Sequence, residues 1–146
     1  MCAILDANVV HEAFESNSSE AGKQFFDWLN TGKGRLVVGG KLFEELFGTS
    51  KKFTEWARRA QITGRMRRVK DDQVNAIAEG LNYKSDDCHI IALAQVSGAR
   101  LLYSNDKALH KDFKNRELIN NPGGKVYSTP AHKHLLERED LCQVNP

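Results

Sequence analysis

The chain has 146 residues, 40% of them hydrophobic and 27% charged, and its formal net charge at pH 7 is only +2. This is the composition of one soluble globular domain spanning residues 1–146, and the small net charge indicates no particular partner. No apolar run approaches the roughly 20 residues of a membrane-spanning helix, and no signal-peptide pattern precedes the first predicted strand. We therefore expect a cytoplasmic protein with no membrane partner.

Strand and helix signals alternate along the chain. The sequence predicts strands over residues 2–5, 35–38, 67–69, 101–104 and 125–127. It predicts helices over residues 8–14, 19–29, 40–47, 50–63, 71–80, 86–97 and 107–113, and a terminal helical turn over 132–138. Gly48 is expected to cap the third helix at its C-terminus. Such alternation predicts a parallel sheet with helices on both faces.

The three cysteines, Cys2, Cys88 and Cys142, are odd in number and widely spaced, and no C-x-x-C pair occurs. This pattern is not that of a structural zinc site or of a disulfide framework. We therefore expect reduced thiols, with Cys2 and Cys88 buried.

Acidic residues stand at or just beyond the ends of four apolar segments. Asp6 and Asp106 directly follow predicted strands, where parallel sheets form their sites. The other candidates lie on helices or loops next to further strands: Glu44, Glu45, Asp86 and Asp87. Two carboxylates about 4 Å apart repel by roughly 4 kcal/mol near a protein surface, so their convergence favours a bound Mg²⁺ or Mn²⁺. Such an ion supports phosphodiester hydrolysis.

Two of these positions are ambiguous. Glu44 and Glu45 are adjacent on a predicted helix, so their side chains point about 100° apart and only one can join the site. Asp86 can act simply as the N-cap of its helix, which leaves Asp87 as the better inward-facing ligand. Asp106 can likewise cap the following helix. His89, two residues beyond Asp87, is expected mainly to pack in the core.

Four motifs together resemble the PIN domain family, over nearly the whole chain. They are Ile4-Leu5-Asp6-Ala7-Asn8, Leu42-Phe43-Glu44-Glu45-Leu46, Asp87-Cys88-His89-Ile90-Ile91 and Leu101-Leu102-Tyr103-Ser104-Asn105-Asp106. The resemblance implies a Rossmann-like three-layer α/β sandwich with a central, mostly parallel sheet of four to five strands. It also implies Mg²⁺- or Mn²⁺-dependent ribonuclease activity.

The resemblance assigns the four catalytic and metal-binding acids by motif position, namely Asp6, Glu45, Asp87 and Asp106. Glu44 and Asp86 remain supporting candidates. Asn8 is a supporting neighbour of Asp6. Ser104 stands where the family usually has threonine, a departure that keeps the hydroxyl.

A basic segment between residues 51 and 70 contains eight cations opposed only by Glu55. It either forms a solvated helix face or binds RNA phosphates, and in the second case binding should weaken steeply with salt. The candidate nucleic-acid-binding residues are Arg58, Arg59, Arg65, Arg67, Arg68 and Lys70.

The sequence therefore predicts a metal-dependent endoribonuclease, most simply the toxin of a type II toxin–antitoxin pair, as the resemblance to such toxins implies. Its expected partners are RNA, a small antitoxin protein and a second copy of the chain in a homodimer. Two alternatives stay open: a stand-alone RNA-processing nuclease, and a non-catalytic PIN-like module that binds RNA or protein. The presence of an acid at all four positions argues against the non-catalytic module.

Overall fold

A parallel sheet forms the centre of the computed structural model, which describes residues 1–15, 19–80, 88–120 and 122–142. Within these ranges the sheet has five strands in the order β3-β2-β1-β4-β5, all of them parallel. They are β1 (Cys2–Leu5), β2 (Arg35–Gly39), β3 (Met66–Val69), β4 (Leu101–Tyr103) and β5 (Lys125–Tyr127). The predicted α/β fold with a mostly parallel sheet is confirmed.

Helices flank the sheet and connect its strands. In the described part of the chain they are α1 (Val10–Phe14), α2 (Glu20–Asn30), α3 (Gly40–Thr49), α4 (Lys51–Thr63), α5 (Asp71–Gly80), α6 (Cys88–Ser97) and α7 (Lys107–Lys114). Shorter 3-10 segments span Ala7–Val9, Pro130–Glu137 and Glu139–Leu141. None of these helices is long and apolar enough to cross a membrane.

The central strands β1 and β4 are apolar throughout, because helices cover both faces of a parallel sheet. All four residues of β1 are buried, and β1 pairs with β2 on one side and with β4 on the other. Asp6 and Ser104 therefore leave neighbouring strands at the same carboxyl edge. The central position of β1 thus places Asp6 in the middle of that edge.

The predicted C-terminal cap of the third helix was wrong. Gly48 lies inside α3, which continues to Thr49, and Ser50 separates α3 from α4. The Ser50 hydroxyl accepts a hydrogen bond from the Phe53 amide at 3.1 Å and so caps α4. The serine therefore ends one helix and begins the next, and the glycine is not needed as a cap.

The expectation of three reduced thiols was also wrong. Cys2 and Cys142 form a disulfide with their Cα atoms 5.3 Å apart, while Cys88 is a free, half-buried thiol. Two backbone contacts hold Leu141 and Cys142 beside the residues that precede β4. The Arg100 amide donates to the Leu141 carbonyl at 2.7 Å, and Ala99 forms an isolated antiparallel β-bridge with Cys142. A wide separation in sequence therefore did not mean a wide separation in space.

Candidate active site

Asp6 lies at the carboxyl end of β1 and is only 5% exposed. Its backbone amide donates to the Tyr103 carbonyl at 3.0 Å, which extends the pairing of β1 with β4 by one residue. One carboxylate oxygen accepts a hydrogen bond from the Ser104 hydroxyl at 2.8 Å, and the other accepts a longer one from the Asn8 amide at 3.4 Å. Burial of a carboxylate at a strand end requires such donors.

Ser104 connects Asp6 with Asp106. Its hydroxyl donates to Asp6 and accepts from the Asp106 backbone amide at 3.0 Å. Asp106 is the N-cap of α7, because its Oδ1 accepts from the amides of Ala108 and Leu109 at 3.0 and 3.3 Å. The capping role and a place at the site are compatible, since both capping bonds use a single oxygen of the carboxylate. Two predicted acids thus lie on either side of one hydroxyl.

Glu45 and Glu44 differ in their surroundings on α3. Glu44 is exposed, whereas the half-buried Glu45 side chain has one oxygen 3.7 Å from Nε2 of His89 and the other 3.8 Å from Nζ of Lys41. His89 lies in the first turn of α6 and interacts electrostatically with Asp6. The carboxylate of Glu45 therefore lies next to the start of α6.

His89 is buried, with 4% of its surface exposed, as expected for a packing residue. Burial lowers the pKa of His89 below its ordinary value; Glu45 and Asp6 oppose that shift, and Lys41 adds to it. The imidazole is accordingly neutral near pH 7. Among the described residues, its buried Nε2 nevertheless has no hydrogen-bond partner, which is uncommon for a polar atom in a folded protein.

Asp86 and Asp87 lie outside the described residues, so their predicted roles stay predictions. Among the residues that the structure does describe, no three acidic, histidine or cysteine side chains are close enough to hold a metal ion by themselves. Three of the four acids predicted to bind the metal lie among the described residues, namely Asp6, Glu45 and Asp106. Their oxygens are the ligands that Mg²⁺ and Mn²⁺ prefer, and a Mg²⁺ ion commonly binds through one or two carboxylates and keeps several waters. In donor type these acids therefore suit a divalent ion that keeps part of its water shell.

Glu12, which the sequence did not predict as a site residue, contacts the loop that follows β4. Its carboxylate accepts hydrogen bonds from the Tyr103 hydroxyl at 3.1 Å and from the Asn105 side chain at 3.2 Å. Burial raises the pKa of Tyr103 well above its ordinary value, so the phenol remains a donor at neutral pH. Glu12 therefore supports the Ser104–Asp106 loop from outside, and nothing in its helix-like sequence context indicated this contact.

The predicted basic residues do not form one surface around the acids. Arg65 directly precedes β3 and so lies at the amino edge of the sheet, whereas Lys70 directly follows β3 at the carboxyl edge, as Asp6 follows β1. Arg67 donates to the Ser97 carbonyl at 3.4 Å, near the end of α6. Because α4 runs toward the start of β3, its exposed Arg58 and Arg59 are also nearer the amino edge.

Arg68 is the basic residue of this segment that contacts the helix carrying Glu45. Its guanidinium lies 3.9 Å from the ring centroid of Phe43 on α3 and donates to Asp71 at 2.9 Å. Arg68 and Lys70 are thus the predicted phosphate-binding residues associated with the edge where the acids lie.

Comparison with known families gives one result that agrees with this geometry. The PIN domain model matches residues 3–114, which include Asp6, Glu45 and Asp106. Comparisons with curated proteins and with solved structures gave no match. PIN domains are in general nucleases that use divalent metal ions. The match covers most of the chain, and the protein belongs to the PIN domain family.

Proposed function

We propose that this protein is an endoribonuclease that depends on Mg²⁺ or Mn²⁺ and hydrolyses RNA phosphodiesters at the carboxyl edge of its sheet. The observation that carries this proposal is the buried Asp6 carboxylate, which is linked through the Ser104 hydroxyl to the backbone of Asp106 and interacts electrostatically with His89, the neighbour of Glu45. Membership of the PIN domain family supports nuclease activity in general. The acids are the groups that would bind the metal ion.

Each acid has a distinct part in the proposed reaction. Two donors hold the Asp6 carboxylate in place, and we assign it the central position among the ligands. Asp106, Glu45 and Asp87 complete the proposed ligand set. When bound, a divalent ion polarises a phosphoryl oxygen and activates the attacking water. The apolar core beneath Asp6 excludes bulk water, which strengthens these electrostatic interactions.

The proposed path for RNA passes Arg68 and Lys70, since these cations share the carboxyl edge with the acids. The Phe43 ring under Arg68 holds the guanidinium near α3, and a planar guanidinium is well suited to phosphate. In a longer RNA, the part that lies away from the acids would contact Arg58, Arg59 and Arg65. Binding that is driven by such contacts weakens steeply with salt.

The decisive experiment is cleavage of single-stranded RNA by the purified chain with Mn²⁺ and with EDTA. We expect cleavage only with the metal, and we expect Asp6→Asn to reduce it by roughly 100-fold or more, since even partners outside the ligand shell contribute 10- to 100-fold. Asp27→Asn, an exposed acid on α2, is the matched control. Full activity in EDTA, or an active Asp6→Asn variant with native circular dichroism, would refute the proposal.

We further propose that the ribonuclease acts as the toxin of a toxin–antitoxin pair, as its resemblance to such toxins suggests. Induced expression should arrest bacterial growth, and co-expression of a small protein encoded beside the gene should restore it. Asp6→Asn should abolish the arrest without lowering the amount of protein. Normal growth during expression of active nuclease would instead favour an RNA-processing role.

A further inference from the structure

His89 presents a buried nitrogen that no described residue satisfies. The residue lies in the first turn of α6, its side chain is 5% exposed, and its Nε2 has no hydrogen-bond partner. An apolar side chain would serve a purely packing position better, because it carries no polar atom to leave unpaired. The orphaned nitrogen is therefore available to a partner that the described residues do not supply in this structure.

Glu45 is an acceptor close to that nitrogen. Its Oε2 lies 3.7 Å from Nε2, just beyond hydrogen-bond range, while Lys41 lies 3.8 Å from Oε1. The two neighbours differ in what they can do. The Lys41 side chain is 64% exposed and supplies a mobile charge, whereas the buried imidazole of His89 supplies a donor with a fixed direction. A shift of well under 1 Å by the carboxylate would complete the bond from Nε2.

We propose that His89 is a positioning residue for Glu45, and that its Nε2–H donates to one oxygen of this carboxylate when a divalent ion occupies the site. The other oxygen is then free to face the ion. Carboxylate ligands are generally held in this way by a second hydrogen-bonded group, which fixes their orientation. The inference rests on the proposed function, in which Glu45 is one of the metal-binding acids. In this role His89 would act on the metal ion only through Glu45.

The test is Mn²⁺ affinity, measured from the electron paramagnetic resonance signal of free Mn²⁺ in titrations of the purified chain without RNA. His89→Leu removes the N–H donor and fills the same space with an apolar side chain. The affinity for Mn²⁺ should therefore fall about 10- to 100-fold. His89→Gln places an amide N–H near the position of Nε2 and should lose less than about tenfold. His11→Leu, at an exposed histidine of α1, is the control and should bind as the wild type does.

Thermal unfolding in EDTA separates positioning from packing. His89→Leu should unfold at the wild-type temperature or above it, because the orphaned nitrogen is gone. If it does not fold, His89→Met is an unbranched substitute with the same prediction. Wild-type affinity in a folded His89→Leu or His89→Met variant overturns the inference and leaves the proposed function intact. If His89→Gln loses as much Mn²⁺ affinity as His89→Leu, the inference is also overturned, because the N–H donor would then make no difference. Failure of the wild-type chain to bind Mn²⁺ overturns both.

Discussion

Ser104 links two of the predicted acids through one hydroxyl, which donates to the Asp6 carboxylate and accepts from the backbone amide of Asp106. Its side chain is fully buried, so water does not replace these bonds when the hydroxyl is removed. The sequence already marked Ser104 as a supporting residue because threonine usually stands there in the family. The hydrogen bonds give a physical reason for a hydroxyl at this position.

Ser104→Ala should therefore destabilise the metal-free protein by about 1.5–3 kcal/mol, the usual contribution of a hydrogen bond to a charged group. Urea unfolding in EDTA measures this loss. Ser104→Thr keeps the hydroxyl and should retain most of the stability. Equal stability of Ser104→Ala and wild type would show that Asp6 does not depend on this donor.

At the scale of elements, α3 begins without a cap of its own. Its N-cap position is Gly39, which has no side chain, and the first helical amide, that of Gly40, instead donates at 2.8 Å to Asp71 at the start of α5. This hydrogen bond is the main cause that lowers the pKa of Asp71; partial burial opposes it, and Arg68 adds to it. The start of the helix that carries Glu45 is thus fixed by another helix.

Asp71→Asn should cost about 1 kcal/mol of unfolding free energy at pH 7, the scale of a lost N-cap. Because the pKa of Asp71 is lowered in the folded state, its contribution is complete above the unfolded value near 3.9. It should be lost as the pH falls through the lower folded pKa. Urea unfolding of the variant and the wild type at pH 7 and below pH 4 tests this.

Asp72→Asn is the matched control for Asp71→Asn. It removes the same charge from the same first turn of α5, but its carboxylate bonds the amide of Gln73 and not that of Gly40. The prediction fails if the two variants are equally stable at pH 7.

At the scale of the whole molecule, the segment that ends at Cys142 contacts helix α2, the start of β4 and strand β1. Trp28 donates from its indole to the Leu136 carbonyl at 2.7 Å, Arg100 pairs with Leu141, and Cys142 is bonded to Cys2. The disulfide joins residues 140 positions apart and so closes almost the entire chain into a loop. A link across so long a loop restricts the unfolded chain strongly.

Cys142→Ser should therefore lower the unfolding free energy by about 2–4 kcal/mol. Dithiothreitol should lower the stability of the wild type by a similar amount and leave Cys142→Ser unchanged. Cys88→Ser, at the free cysteine, should respond to the reductant as the wild type does. Two alkylatable thiols at Cys2 and Cys142 in the non-reduced, folded protein would contradict the bond.

The sequence alone determined the order of strands and helices and the positions of Asp6 and Asp106 at strand ends. These features are local, since an apolar strand followed by an acid is visible in a few residues, and parallel strands place their carboxyl ends together. The PIN family followed from the same motifs.

Only the tertiary structure decided which distant groups meet. It paired Glu45 with His89, joined Cys2 to Cys142, bonded Glu12 to Tyr103, and divided the basic segment between the two edges of the sheet. The physical reason is that such contacts depend on how elements pack and on the direction in which each chain segment runs. Burial and pairing of this kind join residues far apart in sequence, and no short pattern encodes them.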